Sequence, residues 1–200
     1  MKTFLHVGCG QKRKDRTTPG FNTPEWNELR LDIDPKAQPD IIGTMTDMKA
    51  VADASVDAIY SSHNIEHLYP HEVPAALREF RRVLKPTGFV VITCPDLQAV
   101  AALIAQDKLL EPAYQSPAGP IAPLDILYGL RSALAAGNHY MAHRCGFTLK
   151  VLLQCLRESG FQAWAGRSRP HPSYDLWAMG TVQHVPDPEL RKMAAEYFPR

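Results

Sequence analysis

Two glycines separated by one residue follow a short apolar segment near the start of the chain. The segment from Thr3 to Val7 leads into Gly8 and Gly10, and a second apolar segment ends at Asp32. Glycine lets the backbone turn tightly and lets a ligand approach backbone N–H groups closely. A glycine turn after one strand and an acid after the next is the arrangement that holds a nucleoside-bearing cofactor.

Histidines spaced by four residues are the next candidates for chemistry. His63, His67 and His71 have this spacing, as do His139 and His143. On a helix, such a spacing can bring two imidazoles to one metal ion. Pro70 interrupts the first set, and paired histidines arise by coincidence in a chain with eight of them, so we expect no metal site.

Strands alternating with helices must position these residues. Strands are predicted over 3–8, 29–33, 41–42, 56–60, 89–93, 161–166 and 176–182. Helices are predicted over 74–84, 97–105 and 149–158 and after residue 186, with Asp96 and Thr148 as N-caps and one helical turn near Pro24. An apolar stretch covers residues 124–136. The residues 85–88 are expected to stop the first helix. This alternation predicts an α/β protein with a mostly parallel sheet.

Composition indicates an ordinary globular protein and argues against several functions. The formal net charge of +1 gives no global field toward nucleic acid or membranes. No apolar run is long enough to span a bilayer, and Met1–Val7 is too short for a signal peptide. Four scattered cysteines without metal-ligand spacing predict a cytoplasmic protein. The basic run from Lys12 to Arg16 is either a solvated loop or a contact to an anionic substrate.

One domain over residues 1–200 is predicted, with an insertion rich in proline. The insertion, around 111–136, reads as a lid or pocket wall, and a rigid surface linker is nearly as good an interpretation. Aromatic residues near the C-terminus could form a homodimer interface or cap the core; they are Tyr174, Trp177, Tyr197 and Phe198.

Five motifs in order resemble the class I S-adenosylmethionine (SAM)-dependent methyltransferases, over roughly residues 3–182. They are His6-Val7-Gly8-Cys9-Gly10, Leu31-Asp32-Ile33-Asp34, Ile42-Gly43-Thr44-Met45, Ser55–Tyr60 with Ile65-Glu66-His67-Leu68, and Leu84–Phe89. The resemblance implies a Rossmann-like fold with a mostly parallel seven-stranded sheet and an antiparallel strand near the C-terminus. It also implies SAM as the cofactor, bound by His6, Val7, Gly8, Gly10, Asp32, Ile33, Thr44, Met45, Ser62 and His63.

Individual residues keep a second interpretation, and the chain departs from the family pattern. Asp32 would bind the ribose hydroxyls or serve as a turn residue, and Met45 would flank adenine or fill the core. His6 stands where the family usually has an acid, and Lys12 stands near its third glycine. The family's helix after the first motif looks replaced by a loop.

The resemblance places the residues after the fourth strand opposite the methyl group. The candidate catalytic residues are His63, Asn64 and His143, with His63 as a general base or as a loop-orienting residue. Tyr140 and Arg144 are expected to contact the substrate, although their segment could equally be a loop packed on the fifth strand.

These patterns favour a methyltransferase that acts on a small molecule. A protein or RNA methyltransferase is the first alternative, supported by the basic run and by an arginine-rich helix face. A SAM-binding partner protein without activity is the second, suggested by His6. A nicotinamide dehydrogenase is disfavoured because the glycine turn lacks the G-x-G-x-x-G pattern.

Overall fold

A computed structural model describes residues 1–199, which form an α/β fold. The strands are β1 (Lys2–Val7), β2 (Trp26–Asp32), β3 (Ile41–Ile42), β4 (Val56–Ser62), β5 (Leu84–Pro95), β6 (Tyr114–Ser116), β7 (Gly119–Ile121), β8 (Ala163–Arg169) and β9 (Asp175–Thr181). The helices are α1 (Val73–Val83), α2 (Leu97–Ile104), α3 (Pro123–Tyr128), α4 (Arg131–Ala135), α5 (Leu149–Glu158) and α6 (Asp187–Tyr197).

Seven of these strands form one sheet in the order β3-β2-β1-β4-β5-β9-β8. The neighbours from β3 to β5 pair in parallel, whereas β9 runs antiparallel to both β5 and β8. The predicted mostly parallel sheet with an antiparallel strand near the C-terminus is therefore confirmed. The strand order reverses between β1 and β4, which is where open α/β sheets form a ligand crevice beyond their carboxyl ends.

Each face of the sheet is covered by its own apolar cluster. On one face, α1 and α5 bury residues such as Phe80 and Leu152 against the strands. The other cluster is largely aromatic, with Phe21 in contact with Phe4, Trp26, Tyr60, Phe89 and Tyr197. Tyr174, Trp177, Tyr197 and Phe198 are all buried within the chain, so they cap the core and give a homodimer no support.

Local structure departs from the sequence predictions at several places. The helical turn expected near Pro24 lies instead at Lys14–Arg16, and β2 begins at Trp26 rather than at residue 29. α1 ends at Val83, and residues 85–88, which were expected to form the stop, belong to β5. The strand begins directly after the helix because Leu84 is already extended and pairs with Val56. The caps at Asp96 and Thr148 form as predicted.

The apolar stretch over 124–136 forms two short helices, α3 and α4, which are separated at Gly129. This glycine has φ +98°, and a Cβ on it would overlap the carbonyl oxygen of Met141. The close approach explains the break, because neither the left-handed backbone nor the contact tolerates a side chain. The 139–143 segment is thereby held directly against the end of α3.

The proline-rich segment forms the small hairpin β6–β7, which packs through Ile121 on Val100 and Tyr174. Asp125 joins α3 to α4, since its carboxylate accepts hydrogen bonds from Arg131 Nε at 2.7 Å and Nη2 at 3.0 Å. The same carboxylate accepts the backbone N–H of Ala122 and of Arg131. Within residues 1–199, no helix has the length and apolar character needed to cross a membrane.

The Asp125–Arg131 pair predicts a pH-dependent stability of the insertion. The hydrogen bonds from Arg131 lower the pKa of Asp125 from 3.8 to about 2. A lowered folded-state pKa stabilises the fold above the unfolded-state pKa, and this contribution disappears as the pH falls toward 2. We expect Asp125→Asn to lower the free energy of unfolding at pH 6, with the deficit shrinking between pH 4 and pH 2. Urea unfolding at several pH values measures this, with exposed Asp15→Asn as the control, and a deficit independent of pH would contradict it.

Candidate functional site

The crevice where the sheet order reverses contains a cavity of about 650 Å³. Its walls bring together the sequence-predicted residues His6, Val7, Gly8, Gly10, Asp32, Ile33, Thr44, Met45, Ser62, His63, Asn64, Tyr140 and Arg144. Because β1, β2 and β4 are parallel neighbours, their carboxyl ends meet at one edge and present these residues to the same space.

The glycine turn after β1 depends on both of its glycines for different reasons. Gly8 has φ +61°, and a Cβ there would overlap the side-chain amide of Asn64. Gly10 has φ +51°, but a Cβ there would meet no heavy atom within 4 Å, because the position opens into the cavity. Gly8 therefore serves internal packing, while Gly10 leaves room for a ligand.

Asp32 closes the turn from the neighbouring strand. Its carboxylate accepts the N–H of Gly10 at 2.7 Å and the N–H of Asp34 at 2.9 Å, one on each oxygen. A carboxylate offers about four acceptor positions, so each oxygen keeps one for a ligand hydroxyl. Asp32 is mostly buried, which strengthens such bonds.

Arg30 supports the same turn and was missed from the sequence. Its side chain is buried, and its guanidinium donates to the carbonyl oxygens of Ala37, Gln38 and Gly10. The cation thereby ties the glycine turn to the loop after β2. A charged residue between Leu29 and Leu31, in a segment predicted to be a strand, was the signal that could have revealed it.

His6 has a carboxylate partner that lies on the next strand. Its Nδ1 is 2.7 Å from Oε1 of Glu28, and both side chains are largely buried. The other oxygen of Glu28 accepts the N–H of Lys14. Glu28 is therefore an acid close to this end of the cavity. The imidazole of His6 stands between it and the cavity, at the position where the family pattern has its acid.

The residues after β4 differ in what they contact. Asn64 donates from Nδ2 to the carbonyl oxygens of Val7 at 2.8 Å and Ser62 at 3.0 Å, which braces the ends of β1 and β4. His63 is partly exposed at the cavity, has φ +54°, and places Nδ1 3.4 Å from Oε1 of Glu66. His63 thus offers an accessible imidazole, while Asn64 is occupied by the backbone.

The far wall of the cavity comes from the segment 138–144. Arg144 donates from Nη1 to the carbonyl oxygen of His67, and its guanidinium lies 4.9 Å above the ring of Tyr69. Tyr140 is more than half exposed. Among the described residues of 111–136, none lines the cavity, and Tyr128 and Gly129 instead contact this wall at His143 and Met141.

His143 lies behind the wall, outside the residues that line the cavity. Its Nδ1 is 2.7 Å from the carbonyl oxygen of Ile126, and its ring centroid is 5.0 Å from that of His67. Burial lowers the pKa of His143. For the carboxyl of Glu66, burial acts to raise the pKa, but His63, His67 and His143 together lower it below its ordinary value.

Substitutions of Gly8 and Gly10 should affect stability and SAM binding differently. We expect Gly8→Ala to lower both the free energy of unfolding and SAM affinity, because the methyl overlaps Asn64 in addition to the strained backbone. Gly10→Ala should lower the free energy of unfolding only by the backbone cost of about 1–2 kcal/mol. It should still weaken SAM binding, because its methyl enters the cavity. Urea unfolding and calorimetric titration with SAM measure the two effects, and equal destabilisation by both variants would contradict the assignment.

Comparisons with known proteins agree with this geometry. Residues 5–92 match the family described as a methyltransferase domain. No curated protein matches the chain. Solved structures with the same fold include a SAM-dependent methyltransferase of Thermotoga maritima, named a possible histamine N-methyltransferase, with a TM-score of 0.58 and 14% identity over 92% of this chain and 83% of that one.

Two further structures share the fold at similar identity. One is the Burkholderia thailandensis 1,6-didemethyltoxoflavin-N1-methyltransferase, solved with 1,6-didemethyltoxoflavin and S-adenosylhomocysteine, with a TM-score of 0.58 and 15% identity over 91% of this chain and 71% of that one. The other was solved in complex with the Haloferax volcanii Trm112 methyltransferase activator, with a TM-score of 0.56 and 14% identity over 92% and 83%. Residues 5–92 therefore match a methyltransferase-domain family model, and the described chain has the fold of these SAM-dependent methyltransferases.

Proposed function

We propose that this protein transfers the methyl group of SAM to a small-molecule acceptor. The observation that carries the proposal is one continuous cavity, with the glycine turn and Asp32 at one end and His63, Tyr140 and Arg144 at the other. Its volume of about 650 Å³ lies within the range of small-ligand sites. When bound, SAM supplies a methyl group on a sulfonium, which is a good leaving group.

The residues of the first three strand ends would hold the cofactor. Asp32 has unused acceptor positions for the ribose hydroxyls, and Thr44, Met45 and Ile33 line the cavity where adenine would lie. His6 donates from Nδ1 to Glu28, so its Nε2 is left as an acceptor for the ammonium group of the cofactor. Glu28 would supply the negative charge that the family's usual acid provides, and it would act through the hydrogen-bonded imidazole of His6.

The opposite end of the cavity would bind the acceptor. His63 is the accessible imidazole there and is proposed to take up a proton from the acceptor. Tyr140 and Arg144 are proposed to contact the acceptor, with Arg144 favouring an anionic group. Asn64 acts by positioning, since its amide is bound to the ends of β1 and β4.

A small-molecule acceptor is favoured over a macromolecule by the size of the cavity and by the low net charge of the chain. The segment 138–144 forms one wall of the cavity, and the net charge of +1 provides no broad field for RNA. A macromolecular acceptor is supported by the exposed Lys12 and Arg13 beside the cavity mouth and by the relative that was solved with Trm112. We also propose the cytoplasm as the compartment, because all four cysteines are unpaired.

Three acceptor pools distinguish the proposed function from its alternatives. The protein is incubated with methyl-labelled SAM and with low-molecular-mass metabolites, total protein or total RNA. We expect label and S-adenosylhomocysteine to form with the metabolite pool. Asp32→Ala should weaken SAM binding roughly tenfold to a hundredfold, because charge-assisted hydrogen bonds are worth about 1.5–3 kcal/mol.

The control variant is Asp15→Ala, an exposed acid outside the cavity, which should bind SAM like the wild type. Label in protein or RNA would replace the small-molecule proposal with the macromolecular one. SAM binding without S-adenosylhomocysteine in every pool would favour a binding protein without activity. Unchanged affinity in Asp32→Ala would contradict the cofactor site itself.

A further inference from the structure

Glu66, His67 and His143 form a cluster beside the cavity that methyl transfer alone does not explain. One potential ligand atom from each residue lies within 4.8 Å of the others. The cluster therefore contains one histidine from each of the two sets with four-residue spacing, together with one carboxylate. We propose that these three side chains bind a divalent transition-metal ion, with zinc the best chemical match.

Glu66 is the strongest reason for the proposal. Its side chain is 1% exposed, and neither carboxylate oxygen has a hydrogen-bond partner within the described residues. Nδ1 of His63 lies 3.4 Å from Oε1 of Glu66. Burying a carboxylate without partners is costly, and such groups are usually paired or coordinate metals. A cation bound at this carboxylate would satisfy it.

Both histidines have the hydrogen-bond pattern of metal ligands. Nδ1 of His67 lies 3.1 Å from the carbonyl oxygen of Ala142, and Nδ1 of His143 lies 2.7 Å from that of Ile126. A carbonyl oxygen only accepts, so each Nδ1 carries the proton and each Nε2 keeps a free lone pair. Metal-binding histidines characteristically donate their second nitrogen to such a carbonyl.

Backbone hydrogen bonds hold the two halves of the cluster together across the sequence. The N–H groups of Arg144 and Cys145 donate to the carbonyl oxygen of Glu66 at 2.8 and 3.2 Å. The N–H of His143 donates to Tyr128, next to Gly129, whose missing Cβ allows the close approach. The ligands are therefore positioned before any ion binds, which reduces the entropic cost of binding.

The ligand set indicates the ion and its coordination. Two imidazoles and one carboxylate bind zinc in sites that keep an open position, and the same set also binds non-haem iron. His67 lines the cavity, so the open position would face the acceptor end. An open position on this side favours an acceptor that offers an oxygen atom to the ion, such as a hydroxyl or carboxylate compound. This choice of acceptor rests on the proposed function.

Metal binding is measured on the full chain after removal of bound metal by a chelator. We expect Zn²⁺ titration by calorimetry to give one ion per chain, and Co²⁺ to give a visible absorption spectrum that Zn²⁺ abolishes. Glu66→Gln, His67→Ala and His143→Ala should each lose roughly a hundredfold or more in affinity, since even outer-shell changes cost 10–100-fold. His184→Ala, an exposed histidine outside the cluster, should bind like the wild type.

Thermal unfolding keeps the test informative if one variant fails to fold. Zn²⁺ should raise the midpoint of the wild type and of His184→Ala, and leave folded His67→Ala and His143→Ala unchanged. Absence of wild-type binding, or equal binding in the cluster variants, would overturn the metal site. SAM titration of the metal-free protein tests the cofactor site separately, so the two proposals can fail independently.

Discussion

The packing of Asn64 against Gly8 is the constraint on which both ends of the site depend. Asn64 fills the space that a side chain at position 8 would need, and its amide bonds to Val7 and Ser62. These bonds join the carboxyl ends of two neighbouring parallel strands at the point where the sheet order reverses. The glycine turn lies on one side of this contact, and the short turn at Ile65–His67 begins directly after Asn64 on the other. One contact therefore sets the spacing between the two proposed halves of the site.

Buried charge is concentrated at the same edge of the sheet, but it is not balanced uniformly. Arg30 is surrounded by carbonyl oxygens, and Glu28 is paired with His6 and a backbone N–H. Among the buried carboxylates of the described residues, only that of Glu66 has no hydrogen-bond partner on either oxygen. A buried carboxylate without partners is costly, and such groups are usually paired or coordinate a metal. The distribution of charge thus distinguishes supporting residues from a ligand site.

Sequence alone predicted the parts of this site that are contiguous in the chain. The glycine turn, Asp32 and the segment after β4 each carry their signal within a few residues, so their position at strand ends followed from the strand pattern. The partner of His6 could not be predicted, because Glu28 contacts it only through the register of β1 and β2. The sequence did not show that the apolar stretch over 124–136 is interrupted at Gly129, because the cause is a contact with Met141, which local periodicity does not contain.

The long-range contact between Glu66 and the segment 143–145 changes how His143 is understood. Sequence suggested a catalytic residue, but its ring faces Glu66 and His67 from behind the cavity wall. Hydrogen bonds from Arg144 and Cys145 to Glu66 mean that His143 cannot move without the wall moving. Arg144 also binds the backbone of His67 and lies over Tyr69 at the cavity. An ion held by the cluster would therefore stiffen the wall that contacts the acceptor, and metal binding and acceptor binding would be coupled through the same backbone.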